Sequence, residues 1–171
     1  DQVREQLPWL YDAYHTTLLE LAAQSGIREP VTTAADDRYG LVLNVQRGTT
    51  MRFECHVDSN PFTGLLFCTD HDAGGELVFG HDTRARDIAQ VERDCAAIRP
   101  RAGHLVFFDA RRHPHYARPL EAPDEMRVVA VMNFYIRSCP ESTRPAELNR
   151  HTELNRSLGG GVTVPAEAVP V

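Results

Sequence analysis

The stretch TMRFECHVD, residues 50–58, is where the reading of this chain begins. Side chains alternate faces along a strand. Met51, Phe53, Cys55 and Val57 fall on one face and belong in a core. Arg52, Glu54, His56 and Asp58 fall on the other, which is either washed by water or lines a polar cavity. His56 and Asp58 stand two apart, so both can reach one ion. An imidazole nitrogen with a carboxylate oxygen suits Fe(II), Mn(II) or Zn(II). Alone, an H-x-D pair is a weak signal, and a solvated strand face explains it equally well.

Outward from this stretch, the chain is a series of short β-rich runs between turn signals. They are LVLNVQR (41–47), TGLLFCT (63–69), GELVFG (75–80), HLVFFD (104–109), HPHYARPL (113–120) and RVVAVMNFY (127–135). Seven short strands with few helices predict a mainly β protein, a sandwich, barrel or jelly roll. Residues 82–95 are charged and predict a short helix or an excursion between strands. Ahead of the strands, Leu7, Leu10, Tyr14, Leu18 and Leu21 recur at helical steps, predicting one helix over 3–24 that Gly26 stops. A loop is expected over 26–39 and a polar tail or lid from 139. The 171 residues fit a single domain: helix and loop over 1–39, β core over 40–138, tail over 139–171.

Composition narrows the function. The formal charge of −6 argues against a nucleic-acid binder. No run approaches the roughly 18 apolar residues of a membrane span. Cys55, Cys68, Cys95 and Cys139 form no C-x-x-C motif, and a reducing, cytoplasmic compartment is expected.

A second half of the chemistry lies in RPRAGHLVFFDARRHPHYARPL, residues 99–120. It holds a Pro-x-x-Gly turn, an apolar strand, a polar loop and His115; Arg127 then heads the next strand. The succession H-x-D, G-G-E-L-V-F, P-x-x-G-x-L-V-F-F, H-x-A-x-P-L and an Arg-led strand ending N-F-Y resembles the 2-oxoglutarate/Fe(II)-dependent oxygenases. The texture is closest to their compact prolyl-hydroxylase-like branch, and the likeness spans about residues 41–137. The resemblance implies a double-stranded β-helix, or jelly roll, with a flanking N-terminal helix. It implies Fe(II), 2-oxoglutarate and O2, with hydroxylation of an unactivated C–H bond as the default reaction.

Carried over, His56, Asp58 and His115 would be the iron ligands and Arg127 the anchor of the far carboxylate of 2-oxoglutarate. A guanidinium is a rigid two-pronged donor suited to that task. His113 is the other candidate for the distal ligand; His115 is preferred because Tyr116-Ala117-Arg118-Pro119-Leu120 follows it. Arg127-Val128-Val129 lacks the hydroxyl of the frequent Arg-x-Ser pattern, leaving Asn44, Gln46 or Thr69 as the second contact to that carboxylate. The presence of Asp58 argues against halogenation, since the halogenating branch has a small residue there. Arg52, Glu54, His113 and Arg118 are the candidate substrate contacts; the mixed charge of Arg52 and Glu54 with Asp109, Arg111, Arg112 and Arg118 around the distal-histidine loop points to a small zwitterion such as an amino acid. The expected enzyme is a monomer or homodimer without membrane or nucleic-acid partners.

Asp70, His71 and Asp72 before Gly74-Gly75 are read as turn chemistry, and His104 as structural. Two other classes compete. A cupin-like metal enzyme would need no keto acid, but usually wants H-x-H and a Glu where this chain has His56-Val57-Asp58. A non-catalytic β-sandwich for interaction would bind no iron.

Overall fold

A computed structural model of the chain describes residues 2–143. The expected lid over 139–171 lies outside them from residue 144 onward. The chain opens with α1 (Gln2–Gln6), α2 (Pro8–His15) and α3 (Thr17–Gln24). The single helix expected over 3–24 is thus divided into three. Pro8 takes the first turn of α2, the place where its missing N–H costs nothing. Thr16 breaks the register between α2 and α3, its hydroxyl donating back to the Asp12 carbonyl at 2.7 Å.

Then come β1 (Val31–Thr33), α4 (Asp37–Gly40), β2 (Leu41–Arg47), β3 (Phe53–His56), β4 (Phe62–Phe67) and β5 (Leu77–Gly80). After these lie α5 (Ile88–Val91), β6 (Cys95–Ile98), β7 (Leu105–Phe108), β8 (His115–Ala117) and β9 (Met126–Ile136). Two strands were not expected. β1 forms where a loop was read, because it completes the edge of β9. β6 forms at the end of the charged excursion, pairing with β5.

All pairings are antiparallel. One sheet runs β1-β9-β4-β7 with β2 also on β9; the other runs β3-β8-β5-β6. These two facing sheets are the jelly roll. Between them sit Leu65, Phe67, Leu77 and Val129, with Phe79, Ile98, Val106, Phe108 and Val131 packed on them. On its other face the larger sheet buries Leu41, Leu43, Met132 and Phe134 against Leu10, Tyr14 and Leu18 of the helices. Tyr14 fastens that layer: its hydroxyl donates to the Asn133 carbonyl and accepts the Ala34 N–H at 2.8 Å. No helix among the described residues is long and apolar enough to cross a membrane.

Candidate metal centre

The pairing of β3 with β8 sets His56 opposite His115. A bulge between Phe53 and His56 interrupts the strict alternation read over 50–58. Bulges re-aim side chains; here Cys55 packs on the outer cluster of Val78, Val91 and Tyr116, while the His56 ring lies 4.4 Å from that of His115. Asp58 stands just beyond β3, its N–H donating to the Ala110 carbonyl at 2.9 Å.

Each of the three is oriented by a further contact. His56 Nδ1 lies 2.6 Å from the Glu54 carbonyl oxygen, and His115 Nδ1 lies 2.9 Å from that of His113. A carbonyl only accepts, so each Nδ1 carries the hydrogen and each Nε2 keeps its lone pair. The two Nε2 atoms lie 3.4 and 3.8 Å from Asp58 Oδ1. Asp58 Oδ2 accepts the Thr63 hydroxyl at 2.7 Å, and that hydroxyl accepts from Asn60 Nδ2 at 2.8 Å. Three ligand atoms therefore converge within 4.8 Å of one another. Phe108 packs edge-on against the His115 ring at 5.0 Å, which makes one wall apolar. The His115 side chain is 6% exposed and that of His56 46%, so the centre opens toward solvent on the His56 side.

Electrostatics leaves Asp58 and His115 ready for a cation. Burial pushes Asp58 up, but His115, His56 and the Thr63 hydroxyl outweigh it and hold the carboxyl at about 2. Burial, then the charge of His56, pushes His115 down to about 4. Burial also pushes His56 down, but its bond to Asp58 outweighs this and the net shift is upward. A carboxylate anion and a neutral buried imidazole are the forms that bind metal.

Arg127 faces the interior from the larger sheet, beside Gln46 on the neighbouring strand. It is 3% exposed, and its guanidinium makes no ion pair or hydrogen bond among the described residues. Burial alone lowers it to about 10. Its Cζ lies 5.5 Å from the Phe67 ring centroid. Gly75, at φ +70°, lies against its stem; a Cβ there would come within 3.0 Å of Arg127 Cδ.

The remaining candidates are scattered around this frame. Gln46 Nε2 donates to the carbonyls of Met51 and Arg118 at 2.9 and 2.6 Å, so its donors are spent. Asn44 Oδ1 is buried without a partner. Arg52 pairs with Glu54 at 2.8 Å, and the two line a cavity of about 300 Å³ with Arg86 and Asp87. Arg118 is held by Glu92 at 2.8 Å, beside Tyr116 on the outer side of the smaller sheet. His113 offers its carbonyl to His115, and its own Nδ1 lies 3.3 Å from the Gly80 carbonyl. Thr63, Asn60, Phe108 and Gly75 escaped the sequence reading. Only the turn-forming Asn60-Pro61 after Asp58 marked that corner.

The sequence profile of the 2OG-Fe(II) oxygenase superfamily matches residues 41–135. A comparison with curated proteins gives no match. Among solved structures, a prolyl 4-hydroxylase from Phytophthora capsici is similar at TM-score 0.58 and 18% identity, covering 91% of this chain and 54% of that one. A Trichoplax adhaerens prolyl hydroxylase, solved with a hypoxia-inducible-factor peptide, is similar at 0.57 and 15%, covering 81% and 60%. A Burkholderia pseudomallei oxidoreductase of the 2OG-Fe(II) oxygenase family is similar at 0.56 and 15%, covering 75% and 55%. The chain thus spans between 54% and 60% of the length of these three, and the likeness is one of fold.

Proposed function

The chain belongs to the 2-oxoglutarate/Fe(II)-dependent oxygenase superfamily, and from that premise we propose that it hydroxylates an unactivated C–H bond of a small polar molecule. His56, Asp58 and His115 would hold Fe(II) through two Nε2 atoms and one carboxylate oxygen. Two imidazoles and a carboxylate on one face are the donor set of non-haem Fe(II) oxygenases, with positions left open for other ligands. Bound together, Fe(II) and 2-oxoglutarate couple decarboxylation of the keto acid to succinate with transfer of one oxygen atom of O2 into the C–H bond.

The observation that carries the reading is Arg127, buried without a protein carboxylate. A buried, unpaired guanidinium is costly, and an anion brought by a ligand relieves that cost. The far carboxylate of 2-oxoglutarate supplies one. Asn44, with an amide N–H2 able to donate to a carboxylate, is the remaining candidate on β2 for the second contact, since Gln46 has no donor left. Leu65, Phe67, Val129 and Phe108 keep water from the space between the sheets. Arg52 and Glu54, an ion pair of opposite charges within four residues of His56, support a zwitterion such as an amino acid as substrate. The four free cysteines fit a reducing, cytoplasmic setting.

An anaerobic visible spectrum of the apo-protein with Fe(II), before and after 2-oxoglutarate, tests the proposal. A weak charge-transfer band is expected, absent in His115→Ala and in Arg127→Ala. Iron bound without any band would turn the reading toward a cupin-like enzyme. For the substrate, a depletion screen over amino acids, peptides and N-alkylated bases is expected to consume an amino acid; untouched amino acids would overturn that class.

A further inference from the structure

The loop after β4 sends His71 inward, and the ring is 5% exposed. Turn chemistry accounts for the glycines that follow, with Gly74 and Gly75 at φ +75° and +70°, but not for a buried imidazole. His71 Nε2 lies 3.1 Å from Thr69 Oγ1. His71 Nδ1 lies 3.6 Å from Glu125 Oε2, and these two buried atoms have no hydrogen-bond partner. Thr69 Oγ1 in turn accepts the backbone N–H of Val128 at 3.1 Å. Glu125 and Val128 bracket Arg127 in the sequence.

The hydrogens can be assigned. A buried donor seeks an acceptor, and the nearest for Nδ1 is the Glu125 carboxylate. A shift of about half an ångström brings the pair to hydrogen-bond length. With the hydrogen on Nδ1, Nε2 accepts the Thr69 hydroxyl hydrogen, and the hydroxyl lone pair holds Val128. Thr69 then has no hydrogen left for a ligand. This removes it as a second donor and gives it another role.

We propose that His71 is a positioning residue for Arg127: with Thr69 and Glu125 it fixes the backbone on both sides of the arginine, so that the guanidinium stays in the interior facing the far carboxylate of 2-oxoglutarate. The proposal rests on the reading of Arg127 given above. Such a clamp has physical work to do. A buried guanidinium gains by swinging to water or by finding a protein carboxylate. Asp70, Asp72, Glu121 and Glu125 line the cavity of about 320 Å³ that His71 also lines. Glu125 is nearest to Arg127 in sequence, and its pairing with His71 withholds it. Gly75, which has no Cβ, leaves room for the stem of Arg127 against the loop.

The test uses the Fe(II)-loaded protein without oxygen. It is titrated with 2-oxoglutarate, and with pyruvate, a keto acid that lacks the far carboxylate. His71→Ala and Thr69→Val are expected to weaken 2-oxoglutarate about tenfold, the size of one net hydrogen bond, while pyruvate affinity and Fe(II) affinity stay unchanged. Thr69→Ser keeps the hydroxyl and is expected to restore wild-type affinity. Equal weakening of both keto acids would mark general damage and overturn the proposal. Unchanged 2-oxoglutarate affinity in both variants, with affinity lost in Arg127→Ala, would overturn it and leave the reading of Arg127 standing. Unchanged affinity in Arg127→Ala would overturn both. Where His71→Ala fails to fold, the Thr69→Val and Thr69→Ser pair decides alone.

Discussion

At the scale of single residues, the centre depends on groups that are not themselves ligands. Thr63 is 1% exposed and spends its hydrogen on Asp58 Oδ2, which leaves Oδ1 for the ion. Thr63→Val keeps the shape and removes that hydrogen. Partners of this kind carry about 10–100-fold in metal affinity, so a drop in that range is expected in a metal titration; an unchanged affinity would show that Asp58 needs no such support. His56, Asp58 and His115 were legible in the sequence because strand spacing and motif order both pointed to them. Thr63 was not, because a threonine in an apolar strand looks like any other until its neighbour across the turn is known. Gln46 was legible as one of three candidates for the second contact to the far carboxylate. That its donors are consumed by two carbonyls depends on a loop at Met51 and another at Arg118, which no local pattern reveals.

At the scale of elements, β9 is the axis of the larger sheet. It pairs with β1 and β2 on one side and β4 on the other. Its eleven residues alternate between the two cores, with Val129 and Val131 inward and Ala130, Met132 and Phe134 toward the helices. Gly64 on β4 permits that second packing. A Cβ there would meet Phe107 Cε1 at 2.8 Å and Met132 Cε at 3.2 Å. Overpacking of this kind costs about 1–3 kcal/mol. Gly64→Ala is therefore expected to lower the denaturant midpoint without altering metal binding, since it touches the helix-facing core and not the centre. The strands around β9 were readable from their apolar runs. β1 and β6 were not, because three or four residues of weak pattern become strands only when a partner edge accepts them. The division of the N-terminal helix shows the same limit: Pro8 was visible, but the break at Thr16 is set where α2 and α3 each dock on the sheet.

At the scale of the whole molecule, the candidate centre ties the two sheets together. His56 and His115 belong to the smaller sheet, while Asp58 is held by Thr63 of the larger one. A bound divalent ion is therefore a cross-link through the fold. At an ion concentration one hundred times Kd the linkage is about 2.7 kcal/mol, which a thermal melt reads as a raised Tm that His115→Ala abolishes. The pH dependence has a definite sign. His56 is raised above its ordinary value of 6.5, so as pH falls its proton begins to compete with the ion above that value. In the apo-protein the two histidines oppose each other. The raised His56 contributes stability at low pH that is lost as pH rises through its folded value. The depressed His115 contributes instability as pH falls from its ordinary value toward about 4. With metal both rings must be neutral, so the Tm gain is expected to shrink as pH falls through the raised value of His56. A gain that stays constant over that fall in pH would show that His56 is not a ligand.

The sequence by itself determined the class of fold, the H-x-D and distal histidine, and the arginine at the head of the last strand. The fold class follows from local periodicity and the H-x-D pair from spacing along one strand, which a linear chain expresses directly; the distal histidine and the arginine follow from the order of motifs that resembles the 2-oxoglutarate/Fe(II)-dependent oxygenases. Tertiary structure alone decided the bulge that turns His56 toward His115, the Asn60-Thr63 support under Asp58, the outward ties of Arg118 to Glu92, and the burial of His71 beside Glu125. Each of these depends on polar groups far apart in sequence finding partners once water has been excluded. Which partner a buried group meets is set by the packing of the sheets and not by its neighbours along the chain.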